Sequence, residues 1–151
     1  MNAILIVNRE MTPEELKRMY AGFDEHTTAN EVEIQSSDRF SFTATYEDKF
    51  IGCSSGLAYK NGTNYSGWFY LTDLFVEKEY RSQGLGAKLL LALENEISLV
   101  GVNNIYTWTA GYESPGFYKK QGYNYFAQME NWYSDGSSRV GLRKTLSKSR
   151  V

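Results

Sequence analysis

The protein has 151 residues, 42% of them hydrophobic and 15% aromatic, which is enough for one hydrophobic core. Its 16 basic and 18 acidic side chains give a net charge of -2, and the absence of a long basic run argues against nucleic acid as a partner. A single cysteine excludes an internal disulfide, and no stretch has the length of a membrane span or the pattern of a secretory leader. We therefore expect one cytoplasmic domain over residues 1–146 and a short tail over residues 147–151.

The N-terminal region predicts a strand followed by a helix. Residues 3–8 are mainly apolar and are expected to form the first strand. Thr12 and Glu15 have the spacing of a capping box, so a helix should begin here and continue to about Gly22. Residues 23–30 mix acidic, hydroxyl and histidine side chains, and we expect a second short helix or a loop there.

Several later segments have the alternation, or the aromatic and β-branched content, that is typical of strands. They cover residues 40–46, 50–59, 105–109, 123–133 and 138–145. The first two are joined by an acidic turn and the last two by an Asp-Gly turn, so each pair predicts a hairpin. A short helix capped by Ser114 should precede the last hairpin.

The centre of the chain predicts a strand, a glycine loop and a helix in succession. Residues 68–76 form an apolar run, and residues 85–100 place apolar side chains on one helical face. Gly84 and Gly86 between them lack a Cβ, so a ligand can approach the backbone closely. The first turn of the helix offers unpaired N–H groups at the positive end of its dipole. This combination predicts an anion site, and we expect the anion to be a phosphate.

Two common phosphate loops fit this segment poorly. The dinucleotide fingerprint requires a third glycine where this chain has Leu89, and the P-loop requires a Gly-Lys-Ser/Thr that is absent. The loop instead resembles the pyrophosphate motif of the GNAT superfamily of N-acetyltransferases, Arg/Gln-x-x-Gly-x-Gly/Ala, with Arg81, Gly84 and Gly86 at the matching positions. Residues 115–123 are similar to that superfamily's Phe-Tyr-x-x-x-Gly-Phe/Tyr block. Nearly the whole chain resembles a small bacterial-type member.

The resemblance implies an α+β fold with a mixed, mostly antiparallel sheet of about seven strands, one βαβ unit and three to four helices. The strands at residues 71–76 and 105–109 should splay apart and leave a cleft for the pantetheine arm of acetyl-CoA, the expected co-substrate. No metal is expected, because one histidine and one cysteine cannot supply a zinc shell. The residues expected to bind the donor are Leu74, Phe75, Val76, Arg81, Ser82, Gln83, Gly84, Leu85 and Gly86.

Acetyl transfer to an amine requires a proton acceptor for the amine, donors for the oxyanion and a donor for the leaving thiolate. Backbone N–H groups of residues 74–76 are candidates for the oxyanion. The resemblance assigns the acid role to Tyr118, whose phenol would transfer a proton to a thiolate at a cost of about 2 kcal/mol. The base is open between water, Asp73 and Glu113. Similar polyamine acetyltransferases carry an acid where this chain has Thr72.

The acceptor is expected to be a small cationic amine. The slight excess of acidic side chains would attract its charge, and the aromatic side chains could form cation–π contacts with it. Asp24, Glu25 and His26 fall where the superfamily places its substrate-covering helices, and they are expected with Tyr112 to contact the acceptor. Two alternatives remain, a protein lysine or N-terminal acetyltransferase and a non-catalytic acyl-CoA-binding module. Three aromatic residues of the last hairpin are expected either to pair two copies of the chain or to lie in the core: Phe126, Trp132 and Tyr133.

Overall fold

The computed structural model describes residues 2–147, so the predicted tail lies outside the described residues apart from Ser147. Contacts within the chain divide it into two units, Met1–Ile34 and Gln35–Val151. None of the helices in the described part of the chain is sufficiently long and apolar to span a membrane.

The first unit contains one helix, α1, Pro13–Ala29. Its capping box is present, since the N–H of Glu15 donates to the Thr12 hydroxyl at 3.1 Å and the N–H of Thr12 donates to the Glu15 carboxylate at 2.8 Å. The predicted strand over residues 3–8 is wrong, because residues 2–12 form no regular secondary structure.

The predicted end of this helix near Gly22 is also wrong, as is the separate element over residues 23–30. The helix continues through Gly22 for about two more turns. Glycine costs only about 1 kcal/mol in a helix interior, and the stretch beyond it is supported locally. The Arg18 guanidinium donates to the Glu25 carboxylate at 3.2 Å across the glycine, and Asn30 ends the helix with its N–H bonded to the last turn.

The second unit is a mixed six-stranded sheet with the order β1-β2-β3-β4-β6-β5. All neighbouring strands are antiparallel except β3 and β4, which are parallel. The sheet has one strand fewer than predicted, because residues 3–8 form no strand. The strands are β1 Gln35–Tyr46, β2 Lys49–Asn61, β3 Asn64–Val76, β4 Asn104–Ala110, β5 Asn124–Met129 and β6 Arg139–Thr145, and the helices are α2 Leu85–Leu99 and α3 Pro115–Lys120.

The core lies between the sheet and α2. The helix contributes to it through the apolar face that its sequence periodicity predicts. Leu90, Leu93 and Ile97 project from one face of α2 and are at most 1% exposed. They belong to the same buried cluster as Phe69 and Leu71 of β3. The predicted unit of strand, glycine loop, helix and parallel strand is therefore confirmed, with α2 as the crossover between β3 and β4.

One charged side chain, Glu94, lies on the buried face of α2. The Tyr123 hydroxyl donates to its carboxylate at 2.7 Å, and the Lys144 ammonium donates to the other oxygen at 2.9 Å. Burial and the charge of Glu94 together raise the pKa of the Tyr123 phenol above its ordinary range, so this hydroxyl remains a donor. These two bonds connect α2 to β6 and to the segment that follows α3.

Replacing Glu94 by alanine should lower the free energy of unfolding by about 3 kcal/mol, because it removes the acceptor of a buried hydroxyl and a half-buried ammonium. Urea denaturation measures the loss. Glu96→Ala is the matched control, since Glu96 is exposed on the same helix and should change stability by less than about 0.5 kcal/mol. Equal losses for the two variants would contradict a stabilising role for the buried carboxylate.

Candidate active site

The pairing between β3 and β4 ends before either strand does. The parallel register stops at Tyr70 and Tyr106, although both strands continue for several residues. At the first position of the gap the Thr107 hydroxyl donates to the carbonyl of Leu71 at 3.0 Å. Beyond it the two strands diverge, so the predicted splay is present and leaves backbone groups of both strands without a ladder partner.

A β-bulge in β3 controls the side chains at this gap. The register with β2 shifts so that Thr72 is the extra residue between Leu71 and Asp73. Leu71 is buried before the bulge, and Leu74 packs against the core after it, whereas Asp73 is exposed. Without the bulge, the two-residue period of a strand would direct Asp73 toward the core.

The Asp73 carboxylate already has polar neighbours. The Thr72 hydroxyl donates to it at 2.7 Å, and the Arg39 guanidinium lies 3.9 Å from the same oxygen. Arg39 also donates to the hydroxyls of Thr72 and Ser55, at 3.0 and 2.8 Å. Arg39 is not predictable as a site residue from the sequence, because a charged residue that alternates with apolar ones on a strand has the pattern of an ordinary exposed position.

Tyr118 lies on α3 with its side chain facing inward and is 9% exposed. Its ring packs edge-on against Phe117 and Tyr123, with centroid separations of 5.3 and 5.5 Å. Burial raises the pKa of the Tyr118 phenol to about 12, opposed by the Thr107 hydroxyl and reinforced by the charge of Glu113. The phenol is therefore protonated throughout the neutral pH range.

A cavity of about 210 Å³ occupies the gap between the strands. It brings together the three predicted catalytic residues, Asp73, Glu113 and Tyr118. Within residues 2–147, Glu113 has no side-chain hydrogen bond and no ion pair, unlike Asp73. The residues that line the cavity are Thr72, Asp73, Leu74, Phe75, Thr107, Trp108, Thr109, Glu113 and Tyr118.

The backbone of β3 presents N–H groups to the same gap. The N–H of Glu77 donates to the carbonyl of Ile51 on β2 at 2.8 Å. Because N–H groups point to alternate sides along a strand, those of Leu74 and Val76 point away from β2, toward the side from which β4 has diverged. By the same alternation the Phe75 N–H points to β2, so only the Leu74 and Val76 N–H groups are directed to the gap, and their role as oxyanion donors remains a prediction.

The glycine loop lies at the start of α2, as predicted. Gly84 is the N-cap with a φ of 79°, and no side chain caps the helix. The N–H groups of the first turn therefore have neither an intrahelical acceptor nor a side-chain one. A Cβ on Gly84 would meet no atom within 4 Å, so this glycine is required by its backbone conformation and leaves open space beside those N–H groups.

The other loop residues have structural contacts. A Cβ on Gly86 would lie 3.7 Å from the Phe117 ring and 3.8 Å from Val76, so it would point toward protein atoms and not into the open space beside Gly84. The Arg81 guanidinium donates to the carbonyl of Val76 at 2.9 Å, which fastens the loop to the end of β3. Ser82, with a φ of 65°, completes the turn.

The four predicted acceptor residues occur in different units. Asp24, Glu25 and His26 lie on α1 in the first unit, and Glu25 is engaged in the ion pair with Arg18. Tyr112 follows β4 in the second unit and is 58% exposed. Their contact with an acceptor remains a prediction. In residues 2–147, no three or more His, Cys, Asp or Glu side chains are grouped so that they could hold a metal ion.

A family model described as an acetyltransferase (GNAT) domain matches residues 7–146. The chain belongs to the GNAT acetyltransferase family. As a GNAT protein it is an N-acetyltransferase, and the fold predicted from the two motifs is confirmed by its structural neighbours. No protein with a curated description matches the GNAT chain in sequence.

Solved structures share the fold of this GNAT protein at low sequence identity. An acetyltransferase from Bacillus cereus ATCC 14579 is 23% identical, with a TM-score of 0.77 over 93% of this chain and 98% of the other. The ribosomal-protein-S18-alanine N-acetyltransferase from Escherichia coli is 19% identical, with a TM-score of 0.62 over 94% of each chain. An aminoglycoside 6'-N-acetyltransferase complexed with coenzyme A is 20% identical, with a TM-score of 0.60 over 75% of this chain and 76% of the other.

Replacing Gly84 by alanine should raise the KM for acetyl-CoA about tenfold, because the left-handed N-cap would be strained and the loop N–H groups displaced. Gly101→Ala is the matched control. Gly101 lies just beyond the other end of α2, has a φ of 87° and also has open space around it. Its variant should lose similar stability, on the order of 1 kcal/mol, with the KM unchanged. Steady-state kinetics and thermal melts separate the effects, and an equal rise in KM for both variants would contradict donor binding at this loop.

Proposed function

We propose that this GNAT domain transfers an acetyl group directly from the thioester of acetyl-CoA to a primary amine within a ternary complex. The observation that carries the proposal is the gap between β3 and β4, where Tyr118, Glu113 and Asp73 share one cavity beside strand N–H groups. The strand N–H groups would stabilise the oxyanion, Tyr118 would donate to the leaving thiolate, and a carboxylate would accept the proton of the amine. These are the three requirements of acetyl transfer.

The donor would bind along the end of β3 and the start of α2. The uncapped N–H groups after Gly84 would bind the pyrophosphate, which the positive end of the helix dipole favours. The pantetheine arm would then lie in the gap between the strands. In this position the N–H groups of Leu74 and Val76 are available to the thioester carbonyl, and their bonds would strengthen as the oxygen becomes negative.

Tyr118 would donate a hydrogen bond to the departing sulfur and keep its proton. With a phenol pKa of about 12 and a thiol pKa of about 8.5, complete proton transfer would cost about 5 kcal/mol. This cost exceeds the value of about 2 kcal/mol that an unperturbed phenol would give. A hydrogen bond to the developing thiolate avoids most of that cost. The amine nitrogen forms the new C–N bond, the C–S bond breaks, and the thiolate takes its proton from solvent after release.

Glu113 is the better candidate for the group that removes the proton of the amine. The Asp73 carboxylate is engaged by the Thr72 hydroxyl and lies beside Arg39, so its negative charge is partly compensated. Glu113 has neither kind of partner in residues 2–147 and lines the same cavity. Asp73 would instead attract the ammonium form of the acceptor into the channel.

The acceptor class remains a prediction. Structural neighbours include enzymes named for an aminoglycoside and for a ribosomal protein, so the shared fold is compatible with small and macromolecular amines. We favour a small cationic amine, because Asp73 and Glu113 would attract its charge to the cavity, whose volume of about 210 Å³ accommodates an amine and its first few atoms.

Calorimetric titration with acetyl-CoA, followed by free-thiol release over polyamines, aminoglycosides, amino acids and lysine peptides, tests the proposal. We expect donor binding and turnover with at least one class. Tyr118→Phe should lower kcat by about 100-fold without weakening donor binding, because only the hydrogen bond to sulfur is lost. Tyr125→Phe, which alters an exposed tyrosine, is the control. Donor binding without any turnover would favour the acyl-CoA-binding module, and absence of binding would refute the donor site.

Replacing Glu113 by glutamine should lower kcat/KM at neutral pH by about tenfold or more. The loss should shrink as the pH approaches the acceptor's own pKa of about 10, because the free amine then needs no base. The isosteric Asp73→Asn variant should mainly raise the KM for the acceptor. Profiles of kcat/KM against pH distinguish the two roles, and a loss in Glu113→Gln that stays constant with pH would show that Glu113 is not the base.

A further inference from the structure

A second cavity, of about 270 Å³, lies on the sheet beside the proposed active site. Its walls are the side chains of Trp68, Tyr106, Trp108, Phe126 and Arg143. Trp108 also lines the cavity between β3 and β4, so the two cavities share a wall. The proposed transfer reaction leaves this aromatic cavity without a role.

Two guanidinium groups lie on the tryptophans of this region. Arg143 lies 4.6 Å from the ring centroid of Trp68, and Arg139 lies 5.0 Å from that of Trp108. Neither arginine forms an ion pair with a carboxylate in residues 2–147. Their positive charge is therefore not neutralised, and a cationic ligand group would meet like charge here, while an anionic one would be attracted.

The aromatic wall depends on a specific glycine. A Cβ on Gly141 would lie 2.6 Å from the Phe126 ring, so this ring occupies the space that a side chain on β6 would fill. Phe126 packs edge-on against Trp108 and Tyr106, with centroid separations of 5.3 and 6.3 Å. Phe126 and Trp132 are 44% and 52% exposed, so they lie outside the core. The expectation that they pair two copies of the chain remains a prediction.

We propose that the aromatic cavity binds the part of the acceptor distant from its amine, and that it selects acceptors that carry an aromatic ring and a carboxylate. The inference rests on the proposed function, since the amine must reach the neighbouring cavity. The ring would pack among the four aromatic side chains, and the carboxylate would accept hydrogen bonds from Arg143. Asp73 and Glu113 would face the amine end, so the site as a whole suits a dipolar molecule.

The spacing of the two cavities defines the length of such an acceptor. Trp108, the shared wall, and Tyr106, which pairs with Arg143 on β6, are two residues apart on β4, which corresponds to about 7 Å. A para-substituted benzene ring separates an amine and a carboxylate by a similar length. The probe 4-(aminomethyl)benzoate has this arrangement. Benzylamine lacks its carboxylate, and 4-(aminomethyl)benzylamine replaces the carboxylate with a second amine.

Binding can be measured without catalysis. The unreactive carboxylate 4-methylbenzoate, added to the protein saturated with coenzyme A, should shift the indole N–H resonances of Trp68 and Trp108. Arg143→Gln should weaken this binding about tenfold, the usual scale for one charge-assisted contact, and Lys49→Gln, which removes an exposed charge on β2, should not change it. Absence of binding to the wild type, or equal binding to both variants, would overturn the inference.

Kinetics with the three amines then test selection. The wild type should acetylate 4-(aminomethyl)benzoate with a kcat/KM about tenfold above that of benzylamine and further above that of the diamine. Arg143→Gln should lower kcat/KM for 4-(aminomethyl)benzoate to about that for benzylamine, whereas Lys49→Gln should keep the preference. Equal rates with all three amines, or a preference for the diamine, would overturn the inference while leaving the proposed function intact. Failure of the proposed function would differ, since no amine of any class would release thiol.

Discussion

The loss of pairing between β3 and β4 is the constraint on which the rest of the site depends. Buried backbone N–H and C=O groups normally have partners, and parallel strands supply them through the ladder. Here the Thr107 hydroxyl takes over one lost contact, with Leu71, and the following groups face a cavity. The bulge at Thr72 lies beside this divergence and turns Asp73 out of the core, so the lost pairing exposes strand N–H groups and the bulge adds a carboxylate to the same cavity.

Charge is distributed along the sheet in a way that suits a polar acceptor. Carboxylates line the cavity next to Tyr118, whereas Arg143 lines the neighbouring aromatic cavity and Arg139 lies over the ring of Trp108. The overall charge of -2 conceals this separation, because the two groups of charges largely cancel in the sum. The net charge of the whole chain is therefore a weaker guide to the charge of the acceptor than the positions of Arg139 and Arg143 are.

Local signals made much of the fold predictable from the sequence. The capping box, the glycine loop, the apolar face of α2 and both hairpins depend on residues close together in the chain, and all are present. The bulge at Thr72 has no such signal, because it is defined by the register with a neighbouring strand. The same holds for the arginine contacts with the tryptophans, which join residues from separate strands. Residues 3–8 have a strand-like composition, but a strand also requires a partner, which composition does not reveal.

The open edges beyond Tyr70 and Tyr106 have a consequence for the protein before it meets its donor. Unpaired strand edges are templates for the addition of another strand, and folded proteins normally cover them. Here the divergence places both edges inside a sheet, where a chain segment from another molecule can reach them only through a narrow channel. An amide-bearing ligand in that channel would pair with these edges as a substitute strand, so bound donor would also protect the protein against aggregation and raise its melting temperature by mass action.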